Sequence, residues 1–242
     1  MVALDFAALR IDRPAVEAVR NGSIRLMRCS WLLRYCLVHG MMAGLPRCQE
    51  LPEEAFFPPE EAAALLENGS RSVFVLSYGW QTASQPDPRG VTLRTLVRFL
   101  SNTEGVAACA IFMDFCCIPQ HPRSEEEERR FQEGLKNMTS LYASITGTAV
   151  LQIKHIPERP VEYNGRLKLF ALAPQWLEEG ALRADLGRFG TVVGCIVNEQ
   201  LREAHVRFAT HAAAERAYDE LSIANRPAAL EYNNRAYDHR GW

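Results

Sequence analysis

Apolar positions along this chain follow two rhythms. Continuous runs at Val73 to Leu76, Ala107 to Phe115 and Ala149 to Ile153 read as buried strands. Between them, Leu93, Leu96, Val97 and Leu100 recur at helical spacing, as do Phe131, Leu135, Met138 and Leu141. Strand-helix-strand-helix-strand predicts a parallel sheet with right-handed crossovers. Ser124 and Glu127 have the spacing of a capping box before the second helix, and the acidic run Glu125 to Glu128 suits its amino terminus. Upstream, Pro59 opens a short helix over Glu60 to Glu67, closed by Asn68-Gly69. Ile24 to Met42 predicts an amphipathic helix. Arg25, Arg28 and Arg34 interrupt it too often for a membrane span.

The pattern changes after Pro157 to Pro160. Strands are predicted at Leu167 to Leu172, Val192 to Val197, Ala204 to Phe208 and Leu230 to Tyr232. Helices are predicted at Trp176 to Leu186 and His211 to Leu221, the second with Thr210 as its cap. This order, β-α-β-β-α-β, is the ferredoxin-like split unit. On its third strand, alternation sends Ala204, Val206 and Phe208 inward and Glu203, His205 and Arg207 outward.

Composition narrows the functional classes. The 242 residues carry a formal net charge of -2, so no global basic field draws in nucleic acid, and any RNA contact must be local. The cysteine count, 7, is odd and contains no C-x-x-C spacing. Reduced thiols in a cytoplasmic or nuclear protein follow, with no zinc or other metal site. No Gly-rich phosphate loop, Ser/His/Asp order or targeting segment stands out.

Candidate chemistry gathers at strand ends, where open α/β sheets bind ligands. Ser77, Tyr78 and Trp80 follow the first strand, and Asp114 closes the second. They read either as a nucleotide pocket or as packed strand ends, with Asp114 as a turn acceptor. Cys116 and Cys117 offer a reactive thiol or plain packing; activation needs a base or cation that the sequence does not place nearby. Asp87, between two prolines, reads as a rigid turn.

Two resemblances build on these residues. Leu76-Ser77-Tyr78-Gly79-Trp80, Met113-Asp114-Phe115-Cys116-Cys117-Ile118-Pro119-Gln120 and Met138-Thr139-Ser140-Leu141-Tyr142-Ala143 resemble, in order, the conserved blocks of heterokaryon-incompatibility (HET) domains, distant relatives of TIR domains. Leu45-Pro46-Arg47, Leu51 to Phe56, Pro86 to Gly90 and Arg240-Gly241-Trp242 are similar to uncharacterised HET/TIR-like proteins of algae and protists. The resemblance implies a flavodoxin-like parallel sheet and a signalling or self-association module. TIR relatives that cleave NAD use a Glu in a Trp-Cys-x-x-Glu segment; the chain stops at Trp242, so the resemblance implies a truncated, non-catalytic module. In that reading NAD would meet Ser77, Tyr78, Trp80 and Asp114, and an NAD-cleaving enzyme is the alternative for a longer protein.

Leu169-Phe170-Ala171-Leu172-Ala173-Pro174, Leu182 to Val192 and Arg202 to Ala209 resemble the signatures of an RNA-recognition motif (RRM). Members of that family stack bases on sheet-face aromatics. Phe170 fills one such position, but Glu203 and His205 stand where the family carries aromatics. The resemblance implies weak single-stranded RNA binding, with Phe170, His205 and Arg207 stacking bases and Lys168 and Arg202 meeting phosphates; docking of a protein partner is the other outcome. The expected organisation is an N-terminal helical segment (1–44), a HET/TIR-like domain (45–160, resuming at 233–242) and an inserted RRM-like domain (161–232). The expectation is a non-catalytic binding protein with no required cofactor. A pure protein–protein scaffold is a further alternative.

Overall fold

A computed structural model describes residues 13–69, 71–82, 84–144, 147–155, 157–224 and 228–231. The protein is mixed α/β and divides into two compact units, Met1–Gly79 with Asp87–Lys154, and Trp80–Pro86 with His155–Trp242.

The first unit is built on a four-stranded sheet: β1 (Met27–Arg28), β2 (Val73–Tyr78), β3 (Ala110–Phe112) and β4 (Thr148–Ile153) in the order β1-β3-β2-β4. β2, β3 and β4 are mutually parallel as predicted, with α4 (Val91–Ser101) and α6 (Glu125–Tyr142) between them in sequence. The capping box forms in full: Glu127 N–H donates to Ser124 Oγ at 3.2 Å, and Ser124 N–H donates to the Glu127 carboxylate at 2.7 Å. That backbone hydrogen bond holds the Glu127 carboxyl below its usual range.

Two elements differ from the expected pattern. Met27 and Arg28, predicted as helix, pair antiparallel with β3 as an edge strand. The helix therefore begins only at Cys29, as α2 (Cys29–His39). Edge pairing satisfies backbone groups that local propensity alone would have left to a helix. The predicted strand Ala107 to Phe115 keeps only Ala110–Phe112. A 3-10 turn precedes it, and α5 (Asp114–Cys117) follows, so Asp114 opens a helical turn and does not end a strand. The N-terminal segment also contributes α1 (Arg13–Arg20), whose buried Ala15, Val16, Ala18 and Val19 belong to the core of the first unit alongside α3 (Pro59–Glu67) and α6.

The second unit follows the order β5 (Arg166–Leu169), α7 (Glu179–Leu186), β6 (Val192–Asn198), β7 (Glu203–Phe208), α8 (His211–Ile223), β8 (Ala228–Leu230). Its sheet is antiparallel throughout, in the order β6-β7-β5-β8. Leu167, Leu169, Ala204, Val206 and Phe208 point into a core completed by Leu182, Leu186, Ala214 and Leu221. The inward and outward sets on β7 are those predicted by alternation. Thr210 Oγ1 accepts from Ala213 N–H at 3.3 Å, which caps α8. The segment 233–242, expected to return to the first domain, lies outside the described residues.

Candidate functional site

Two places gather the candidate residues. The first is the carboxyl end of the parallel sheet. β2 delivers Ser77 and Tyr78 half-buried at its end, after four fully buried residues. Tyr78 Oη donates to Asp114 Oδ1 at 2.9 Å, tying the end of β2 to the turn after β3. The same oxygen accepts Phe115 N–H at 2.7 Å. Burial, and then the neighbouring Asp114 charge, push the Tyr78 phenol well above its ordinary value, so it stays a protonated donor. Beside it, Tyr142 Oη donates to the Leu76 carbonyl at 3.1 Å. Trp80 belongs to the short segment grouped with the second unit.

The rest of the Met113 to Gln120 block is structural in its contacts. Gln120 donates to the Asp114 and Ile118 carbonyls at 3.2 and 2.9 Å. Gln49 answers from another loop, accepting Gln120 N–H at 2.8 Å and donating to its carbonyl at 2.6 Å. Cys116 and Cys117 are buried, and burial raises both thiols far from the thiolate form. An activated thiol needs a lowered pKa, so these two pack and hydrogen-bond, with Cys116 Sγ on the Pro46 carbonyl at 3.5 Å. Among the described residues, no group of three or more His, Cys, Asp or Glu is arranged to hold a metal.

Asp87 has a role that its proline setting concealed. It is buried, and its two carboxylate oxygens accept the N–H groups of Val91 and Leu93, both at 2.8 Å. It therefore caps the first turn of α4 from three residues before Gly90. The signal was in the sequence as an acidic residue just upstream of an apolar helical stripe.

A groove of about 700 Å³ also opens in the first unit, with Arg20, Arg25, Arg28, Phe56, Phe57 and Arg130 among its lining. Arg25 and Arg28 lie over the Phe56 and Phe57 rings at 3.6 and 4.0 Å. Every one of these four arginines also meets a glutamate: Arg20 with Glu60 and Glu67, Arg25 with Glu53, Arg28 with Glu61, Arg130 with Glu126. Its cations are spent on internal pairs.

The second place is the outer face of the second unit's sheet. Lys168, Phe170, Glu203, His205 and Arg207 share it. Lys168 Nζ sits 2.8 Å from Glu203 Oε2 and 4.9 Å from the centre of the Phe170 ring. His205 Nδ1 lies 2.6 Å from Glu231 Oε1, and Arg166 pairs with the same carboxylate at 3.5 Å. Arg202 is elsewhere occupied: with a left-handed backbone (φ 52), it donates through Nε to the Leu172 carbonyl at 2.9 Å and again through Nη2. Arg207 is exposed and has no ion pair among the described residues. Beside His205 on β6, Ile196 is 70% exposed, and Val193 is 54% exposed. The face is thus a mosaic of internally paired charges with apolar side chains left open.

No family model matches this chain, and no curated protein matches it in sequence. Among the described residues, no helix is long and apolar enough to cross a membrane.

Proposed function

We propose that this chain is a non-catalytic binding protein whose second unit docks a protein segment on the outer face of its sheet. The observation that carries this reading is the pairing of the face's own charges. Lys168 with Glu203 and Arg166 with Glu231 are paired in place, and His205 Nδ1 lies within hydrogen-bond distance of Glu231, while Ile196 and Val193 remain bare. Binding a phosphate chain would require breaking those pairs, and the two carboxylates would repel it. An apolar strand or loop needs only to cover Ile196 and Phe170.

The fold reading rests on order. In the second unit, the strand order β6-β7-β5-β8 is what a ferredoxin-like, RRM-type unit would have. In the first, the parallel strands stand as second, first, third, which is how a flavodoxin-like sheet of HET/TIR type begins. Exposed Leu37, Val38 and Met42, at and just beyond the end of α2, favour a self-association or docking role for that unit as well.

A second reading, weak single-stranded RNA binding, is favoured by Phe170 beneath Lys168 and by the exposed Arg207. Fluorescence anisotropy with a random single-stranded RNA pool at two salt concentrations separates the two. Protein docking predicts no salt-sensitive RNA binding, together with selection of apolar peptides from a display library that Ile196→Glu abolishes. RNA binding that Phe170→Ala weakens by roughly 1–3 kcal/mol, and that falls with salt, would overturn docking in favour of RNA.

A further inference from the structure

The edge of the first unit's sheet places two cysteines opposite each other. β1 and β3 pair antiparallel with Met27 facing Ile111 and Arg28 facing Ala110. Cys29 and Cys109 lie just beyond the end of that ladder, and Cys29 N–H donates to the Cys109 carbonyl at 3.0 Å. Cys109 N–H turns back to the Val106 carbonyl at 3.0 Å, so a single backbone bond joins the two residues; it holds them near the about 5.5 Å Cα spacing of bonded antiparallel neighbours, inside the roughly 4.4–6.8 Å window of protein disulfides. The two thiols are near enough for Cys109 to act electrostatically on Cys29. Both residues are free thiols here.

The two differ in access. Cys29 is wholly buried as the first residue of α2. Cys109 is partly exposed, its thiol donating to the Gly105 carbonyl at 3.6 Å. Of the seven cysteines, it alone is not buried. An oxidant arriving from solvent therefore meets Cys109 first, with Cys29 behind it as the partner.

We propose that Cys29 and Cys109 are a reversible oxidation site that closes to a disulfide when a small disulfide oxidant, such as oxidised glutathione, is in excess. Cys109 gives up its proton and attacks one oxidant sulfur; the oxidant's S–S bond breaks and one glutathione leaves as thiol. Cys29 then gives up its proton and attacks the Cys109 sulfur of the mixed disulfide, and the second glutathione leaves. Two electrons pass from the cysteine pair to the oxidant. Burial raises both thiols, Cys29 to about 12, so exchange at neutral pH is slow and the site acts as a latch on lasting oxidation. The latch would staple the two-residue strand β1 and the start of α2 to the strand that carries the Asp114 turn.

The test uses the full chain incubated with excess oxidised glutathione, digested without reduction and mapped by mass spectrometry, with melting followed in parallel. The proposal expects a linked peptide joining Cys29 to Cys109 and a melting point raised by several degrees, both reversed by dithiothreitol. Cys109→Ser should remove the link and the rise; Cys195→Ser, in the other unit, should keep both. A map in which Cys109 carries only glutathione, or in which the links join other cysteines, overturns it. That peptide map is read on the natural chain, so it stands even if Cys109→Ser folds poorly.

Discussion

The two sheets of this protein use their faces differently. β2 and β3 run through the first unit with Val73, Val75, Leu76, Ala110, Ile111 and Phe112 all buried, so the polar groups they position emerge only at the strand ends. β7 alternates residue by residue, burying Ala204, Val206 and Phe208 and showing solvent the positions between. Two central parallel strands enclosed on both faces can offer chemistry only at their ends. An antiparallel sheet with one open face can offer an entire surface. In this chain the rim holds a protonated tyrosine locked to an aspartate, whereas the open face holds paired charges and bare aliphatics. The binding role proposed above rests on this contrast.

The comparison breaks most decisively at the cores. Phe112→Ala in the first sheet and Phe208→Ala in the second should each cost about 3–5 kcal/mol in urea unfolding. Arg207→Ala, one residue from Phe208 but on the open face, should stay within about 0.5 kcal/mol; a loss near that of its neighbour would mean the face is not open.

Gly134 sharpens it next. Alanine inside an exposed helix usually gains about 1 kcal/mol over glycine. Here a Cβ would stand 2.7 Å from the Ser23 carbonyl, so Gly134→Ala in α6 should destabilise by roughly 1–3 kcal/mol. A rise in stability would show that α6 does not press against that loop.

Asp87→Ala should cost about 1–2 kcal/mol by stripping two acceptors from the start of α4, measurable as a lower denaturation midpoint.

Tyr78→Phe is the smallest of the expected losses inside the fold and tests the rim. Loss of the hydrogen bond to Asp114 should cost about 1 kcal/mol near neutral pH. The folded phenol titrates above its unfolded value of about 10. Its stabilisation is therefore complete below that pH and is lost as pH rises beyond it. Buried Cys116 and Cys117 act in the same direction from lower pH. Unfolding curves across the alkaline range should fall less steeply for Tyr78→Phe than for the natural chain; parallel curves would remove Tyr78 from the rim's alkaline response.

How much was legible depended on whether a signal was local. The helix over Pro59–Glu67, the capping box at Ser124 and Glu127 and the alternation on β7 are all written within a few residues, and the fold keeps them. The Asp87 cap was legible too, but its proline neighbours drew attention to the turn and away from the helix it serves. The edge strand β1 was not, because Met27 and Arg28 are extended only through pairing with β3, more than eighty residues away. Nor was the helical turn at Asp114, which continues an apolar run that looks like strand.

By itself, the sequence determined the alternating elements, the two units' different rhythms and which residues of β7 face outward, since each follows from periodicity and capping in one segment. Only the tertiary structure decided what those outward residues are free to do. Lys168 meets Glu203, His205 meets Glu231 and Arg202 turns to Leu172 because strand register and loop closure bring distant groups within hydrogen-bond reach. A charge becomes available to a partner only when no neighbour in space has already satisfied it, and no spacing along a chain records that.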